Sequence, residues 1–231
     1  MTLDEALRYI HEVCWKGTIP GLERIQALLD AMGSPERKCK FVHVTGTNGK
    51  GSTCAMVASI LRKAGYKTGL YTSPYLIRFN ERIQINGEQI SDADICELTE
   101  YVKPFAESIF ERPTEFEMVT AIGFEYFARH KCDIVVCEVG MGGEFDATNV
   151  IPAPEAAVIC NIGLDHTEVL GNTLEKIAGA KAGIIKPGCD AVLYRERPSV
   201  EAVFEERCKA LNAPLHKADF DSLHLLSHSL E

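Results

Sequence analysis

Three glycines and a lysine stand close together in HVTGTNGKGST, residues His43 to Thr53, between the β-rich run KFVHV and the helix-forming stretch STCAMVASILRKAG that closes on Gly65. Strand, glycine loop and helix in that order narrow the possible folds sharply. Gly46, Gly49 and Gly51 allow backbone conformations and close approaches that side chains obstruct, so successive N–H groups can face an anion at the start of a helix. Lys50 adds a mobile positive charge suited to β- and γ-phosphates, and Ser52 and Thr53 add hydroxyls. The loop departs from G-x-x-x-x-G-K-[ST], because Val44 occupies the first glycine position and Gly51 follows the lysine. A nucleotide triphosphate held by Thr47, Asn48, Gly49, Lys50, Gly51, Ser52 and Thr53 is the expectation.

The remaining chain alternates strand and helix signals. Thr2 with Glu5 forms a capping box ahead of Leu3, Leu7, Ile10 and Cys14 on one helical face. A second helix is expected from about 22 to 32, ended by Gly33. KTGLYTSP reads as a strand, and ERIQINGEQI as two short runs turning at Asn86-Gly87. Ser91 with Asp94 opens a helix expected to bend at Pro104, and a long helix from about 114 to 130 leads into the strand DIVVCEVG. EAAVICNIGLDH repeats the strand pattern, TLEKIAGAKAGIIKPG reads as helical up to Pro187, DAVLY as a strand, and PSVEAVFEERCKALN as a helix. Such alternation predicts an α/β fold, a mostly parallel sheet with helices on both faces.

Composition excludes several functions. The net charge of -9 opposes broad nucleic-acid binding, so any phosphate must be met locally. No apolar run approaches the roughly 20 residues of a membrane helix, and the acidic, amphipathic N-terminus is neither signal nor transit peptide. No nucleic-acid or membrane partner and a cytoplasmic location are expected. Nine cysteines without a C-x-x-C pair read as buried reduced thiols rather than as a disulfide framework or zinc ribbon.

Ligands of open parallel sheets collect outside the carboxyl ends of the strands. After KFVHV comes the glycine loop, after GLYT comes Ser73, near the end of DIVVCEVG lies Glu138, and after AVICNIG come Asp165 and His166. Glu138, ending a buried apolar run, needs a cation or hydrogen-bond donors, so it is either a ligand for Mg²⁺ or part of a structural ion pair or helix-cap contact. Ser73 alone reads as turn chemistry before Pro74, and His166 alone as a hydrogen-bonded loop residue. Their common end of the sheet raises both.

TGTNGKGST, YTSPYLIRFNERIQING, EVGMGGEFDATN, NIGLDH and KAGIIKPG, in this order, resemble folylpolyglutamate synthase and dihydrofolate synthase of the Mur ligase superfamily. The likeness runs from about 17 to 188 and implies a P-loop-type Mur ligase central domain. It also implies an ATP-dependent acid–amino acid ligase in which dihydropteroate or a reduced folate receives the γ-phosphoryl group and the resulting acyl phosphate is attacked by L-glutamate. By that resemblance Lys50, His166 and Lys181 are catalytic. Ser73 and Glu138 hold one Mg²⁺; His166 and a carbamylated Lys181 help hold a second. K⁺ is a further cofactor it brings in, and a monomer is expected. The same likeness has Asp146, Thr148 and Asn149 shaping the loop after Glu138 and puts GTIPGLERI near the substrate, while Lys186 stays unassigned.

Three departures accompany it. Glu144 and Phe145 stand where the family commonly has arginine and leucine, and Tyr75 where histidine or phenylalanine is common. Family members also continue beyond residue 231 into a C-terminal glutamate-ligase domain, so residues 1–231 are expected to be an incomplete ATP-binding domain, its last stretch DSLHLLSHSLE reading as an interrupted strand. A different P-loop transferase or another Mur-type amide ligase is one alternative, separated from the folate ligase by the acceptor dependence of ADP release; a noncatalytic ATP-binding fragment, which binds ATP without turnover, is the other.

Overall fold

The computed structural model describes residues 1–13 and 21–221. Cys14, the first four residues of GTIPGLERI and all of the final DSLHLLSHSLE but Asp221 lie outside the described residues.

The chain begins with α1 (Leu3–Arg8), whose predicted Thr2–Glu5 capping box is present, and continues as a π-helical turn, Tyr9–Val13. Then follow α2 (Glu23–Ala31), β1 (Lys40–Thr45), α3 (Lys50–Lys63) and β2 (Thr68–Tyr71). The hairpin β3 (Ile83–Ile85) and β4 (Glu88–Gln89) turns at Asn86 and Gly87, with φ of 53° and 85°. Positive φ at both positions is what a two-residue turn joining right-twisted strands requires, and this pair supplies it cheaply. Next come α4 (Asp92–Ser108), α5 (Glu115–Arg129), β5 (Ile134–Glu138), β6 (Ala156–Ile159), α6 (Thr167–Leu170), α7 (Leu174–Ala182), β7 (Asp190–Leu193), α8 (Pro198–Leu211) and β8 (Leu215–Lys217).

The eight strands lie in the order β4-β3-β2-β5-β1-β6-β7-β8, antiparallel only where β3 meets β2 and β4. Register places Phe41, Val135, Cys137, Tyr71, Ala157 and Leu193 on one face, under α1, α2, α4 and α5 at one end and α7 and α8 at the other. The other face carries Val42, Val44 and Val136 under α3. Both faces are covered, as expected, though unequally.

Two expectations needed correction. The helix read through to Pro187 stops at Ala182, because the Gly183 carbonyl accepts from the Asn149 side chain and the Glu144 backbone packs where a Cβ on Gly183 would stand. Of the eight described cysteines, all free, Cys39 and Cys96 are only partly buried.

Candidate functional site

The chain leaves β1 through α3 toward β2 on one side, and leaves β5 toward β6 on the other, so the direction of winding changes around β1. That is where an open α/β sheet forms its ligand crevice. The four strands predicted to end in functional groups, β2, β5, β1 and β6, are consecutive neighbours with their carboxyl ends together.

Gly49 caps α3 with φ of 82°, bending the chain from strand into helix. Gly46, with φ of 151°, rests directly on Cys160 at the end of β6. Lys50 Nζ donates to the carbonyls of Gly46 and Thr47, both at 3.2 Å, and Lys181 Nζ donates to Gly46 O at 2.8 Å. The Thr47 hydroxyl is turned away from the loop opening, accepting from Gly163 N and donating to Gly163 O at 3.0 Å each, while Asn48 bridges to Asn161. Thr53 accepts from the Cys160 thiol at 3.3 Å, and Ser52 is exposed. The predicted loop residues are therefore assembled, with Thr47 serving to fasten the loop to the strand beside it.

Glu138 is buried at the end of β5 and accepts from the Ser73 N–H at 3.0 Å. A Cβ on Gly51 would lie 3.6 Å from one of its oxygens, an ordinary contact distance, so the first turn of α3 runs directly beside the carboxylate. Burial raises the Glu138 pKa, opposed by the Ser73 N–H and by Lys50, with nearby Asp146 adding to the rise. A buried carboxylate with one neutral donor, next to a hydroxyl-bearing residue and a phosphate-type loop, fits a hard cation such as Mg²⁺.

His166 and Lys181 are not brought into mutual contact. His166 is half exposed at the start of α6, 3.6 Å from its neighbour Asp165. Lys181 is buried in the last turn of α7, its pKa pushed down to about 8 by burial and then by Lys50, against Asp165 and Asp146. Among the described residues no group of three His, Cys, Asp or Glu side chains converges on one point. The Lys181 amine itself cannot ligate a metal while protonated; a carbamate would supply oxygen donors.

Below the loop that follows β5 lies a buried relay. The Thr148 hydroxyl donates to Asp146 Oδ1, and His43 Nε2 is 2.8 Å from the same hydroxyl; with Thr148's proton committed, His43 donates. Burial and Lys186 push the His43 pKa down to about 3, so the ring is neutral. Asp146 also accepts from Met141 N at 2.9 Å, and Lys186 Nζ donates to the carbonyls of Asn149 and Ile151. The DATN residues thus shape this loop, and Lys186 pins its far end.

A cavity of about 630 Å³ opens beside Ser73 and His166, with Phe116, Phe145, Val169 and Leu170 on its apolar wall and Arg82, Glu117, Glu144 and Asp146 among its polar lining. Glu117 is bound bidentately by buried Arg24, at 3.0 and 3.2 Å. Sequence reading missed Arg82, Arg24 and His43. Only a polar residue in the middle of an apolar strand, for His43, gave any signal.

Fold and site together define a mostly parallel α/β protein with a glycine-rich loop at the switch point and an apolar cavity alongside. The Mur ligase middle domain matches residues 44–222, and the chain belongs to that family. It is 47% identical, over 95% of its own length and 51% of the relative's, to the dihydrofolate synthase/folylpolyglutamate synthase of Bacillus subtilis. With the folylpolyglutamate synthase of Lacticaseibacillus casei it shares 41% over 88% of this chain and 48% of that one. A solved FPGS–AMPPCP–folate complex superposes with a TM-score of 0.90 at 38% identity, over 95% of this chain and 55% of that one. The chain spans about half the length of these relatives.

Proposed function

We propose that the chain provides the nucleotide- and acceptor-binding part of an ATP-dependent ligase that joins L-glutamate to dihydropteroate or a reduced folate. The observation that carries this reading is the adjacency of the glycine loop, the Ser73–Glu138 pair and the apolar cavity at the ends of four neighbouring strands. A carboxylate is a poor acyl donor until phosphorylated, so the site must bring the γ-phosphate of ATP to an acid held in the cavity.

In this reading the loop amides and Lys50 hold the phosphates, and Glu138 with Ser73 holds Mg²⁺, which when bound neutralises charge gathering on the phosphate oxygens. His166 and a carbamylated Lys181 hold a second ion. Burial favours that modification, because only the neutral amine adds carbon dioxide, losing a proton as the carbamate forms. The Thr148–Asp146 relay keeps the cavity loop in register while the apolar wall excludes water from the acyl phosphate. The relatives' names support glutamate ligation to folates, the AMPPCP–folate complex supports the two ligand classes, and a cytoplasmic location and monomeric state belong to the same reading.

Glutamate incorporation tests it: Mg²⁺-ATP and labelled glutamate are supplied with dihydropteroate or a reduced folate, and conjugate and ADP are followed together. Conjugate that depends on the pterin is expected from the ligase, and Lys50→Met is expected to lose at least tenfold in AMPPCP affinity, the scale of one charge-assisted contact. Unchanged binding in Lys50→Met refutes the loop assignment. Nucleotide binding without conjugate confines this chain to the binding part.

A further inference from the structure

Two buried arginines stand near the cavity, and among the described residues only one meets a carboxylate. Arg24 meets Glu117 through two hydrogen bonds. Arg82, equally buried at 9% exposure, lines the cavity with its guanidinium 5.1 Å from the ring centre of Tyr75 and 5.8 Å from that of Phe79. Among the described residues no carboxylate pairs with it, and its Nε has no hydrogen-bond partner. Burying an unpaired guanidinium is costly, and ring faces replace only part of its hydration.

Hydrogen bonds tie down the backbone that leads into Arg82. Glu81 accepts from the backbone N–H groups of Leu76, Ile77 and Arg78, at 2.7, 3.1 and 2.8 Å, and Asn80 donates to Ile90 O and Asp92. The Arg82 carbonyl accepts from Thr72 N at 2.9 Å, which places residue 82 beside the turn that carries Ser73. Arg82 and Ser73 thus share one end of the cavity, and the Ser73 N–H reaches Glu138 behind it.

We infer that Arg82 is the acceptor-binding residue that holds a carboxylate of an aromatic acid, with the aryl part of the ligand along the apolar wall. This rests on the proposed reading of the cavity as an acceptor site. The guanidinium fork matches a carboxylate edge to edge, and because Arg82 lines the cavity while its Nε is sequestered, its terminal amino groups are the donors left for a ligand. The acid is drawn to the phosphoryl end of the cavity, whereas its uncharged carboxamide gains little there.

The test compares dihydropteroate with its carboxamide by equilibrium dialysis against the chain, AMPPCP binding serving as control. Wild type is expected to prefer the acid. Arg82→Met, which keeps length and packing against the two rings, is expected to weaken acid binding about tenfold to a hundredfold while leaving carboxamide and AMPPCP unchanged. If Arg82→Met unfolds, Arg82→Lys is read instead, and a several-fold weaker preference for the acid is expected. A preference that survives either substitution undiminished overturns the role of Arg82 alone. Wild type that binds AMPPCP but neither pterin overturns the reading of the cavity, and this inference with it.

Discussion

Gly46→Ala would strike the point where the phosphate-type loop leans on the neighbouring strand. A Cβ on residue 46 would lie 2.6 Å from Cys160 Cβ and 3.2 Å from its Cα. Cys160 cannot retreat freely, because its N–H is bonded to Thr45 O at 2.8 Å and keeps β6 beside β1. The φ of 151° adds strain that an L side chain rarely tolerates. Backbone strain of about 1–2 kcal/mol and overpacking of about 1–3 kcal/mol sum to roughly 2–5 kcal/mol, a large share of the roughly 5–15 kcal/mol that holds such a domain together. Gly49→Ala is the control, for it too has positive φ, 82°, but no atom within 4 Å of the added methyl. It should cost about 1–2 kcal/mol, from strain alone. Urea unfolding followed by circular dichroism measures both, and AMPPCP titration should show the larger loss for Gly46→Ala, whose carbonyl anchors Lys50 and Lys181. Equal costs for the two substitutions, or a Gly46→Ala variant as stable as wild type, would refute the close-approach argument.

Two further outcomes follow from buried charge. Arg24→Met leaves Glu117 buried without its cation and should cost about 3–5 kcal/mol in urea unfolding, with Arg24→Met/Glu117→Met recovering much of it. Full additivity in that cycle would mean that the pair is not coupled. Glu36 is fully buried, with neither oxygen hydrogen-bonded among the described residues and Arg37 Nε 3.3 Å away but outside hydrogen-bond geometry; burial raises its pKa. Its protonated form favours folding, so that contribution is complete below the ordinary glutamate range and is lost as pH rises through the higher folded value. Glu36→Gln should therefore be more stable than wild type by about 1–3 kcal/mol at pH 7, and the difference should vanish near pH 4. A difference independent of pH would exclude the carboxylate as its source.

Sequence pattern revealed features whose causes are local. Asn86-Gly87 turns the hairpin, Thr2 and Ser91 cap their helices, and the glycine loop follows its strand, because each depends on residues within a few positions. Where distant groups intervene, the pattern misled or stayed silent. α7 ends at Ala182 because Asn149 and Glu144, far back in the chain, crowd Gly183. β8 is only Leu215–Lys217, too short for alternation to appear, and exists through pairing with β7. Arg82 lies in NERI without any sequence sign that it is buried, since that follows from Tyr75 and Phe79 folding over it. Ser73 and Glu138 were legible as strand ends, whereas the Ser73 N–H that reaches Glu138 was not.

Lys50 and Lys181 both donate to the carbonyl of Gly46, and Lys50 lowers the pKa of Lys181. As unmodified ammonium groups the two repel each other on one oxygen, a repulsion that carbamylation of Lys181 removes, and the nearby Glu138 carboxylate is buried and under-solvated by the same packing. Like-charge crowding and desolvated carboxylate are each unfavourable alone. Together they make a site whose charges gain from a polyanion and a divalent cation arriving as a pair: phosphate takes over Lys50, and the cation offsets Glu138. A ligand that satisfies both groups stabilises the folded chain by mass action, whereas either ion alone leaves one imbalance in place. In the proposed reading the electrostatics of the loop favour metal-bound nucleotide over free nucleotide, a preference that no glycine in the motif can supply.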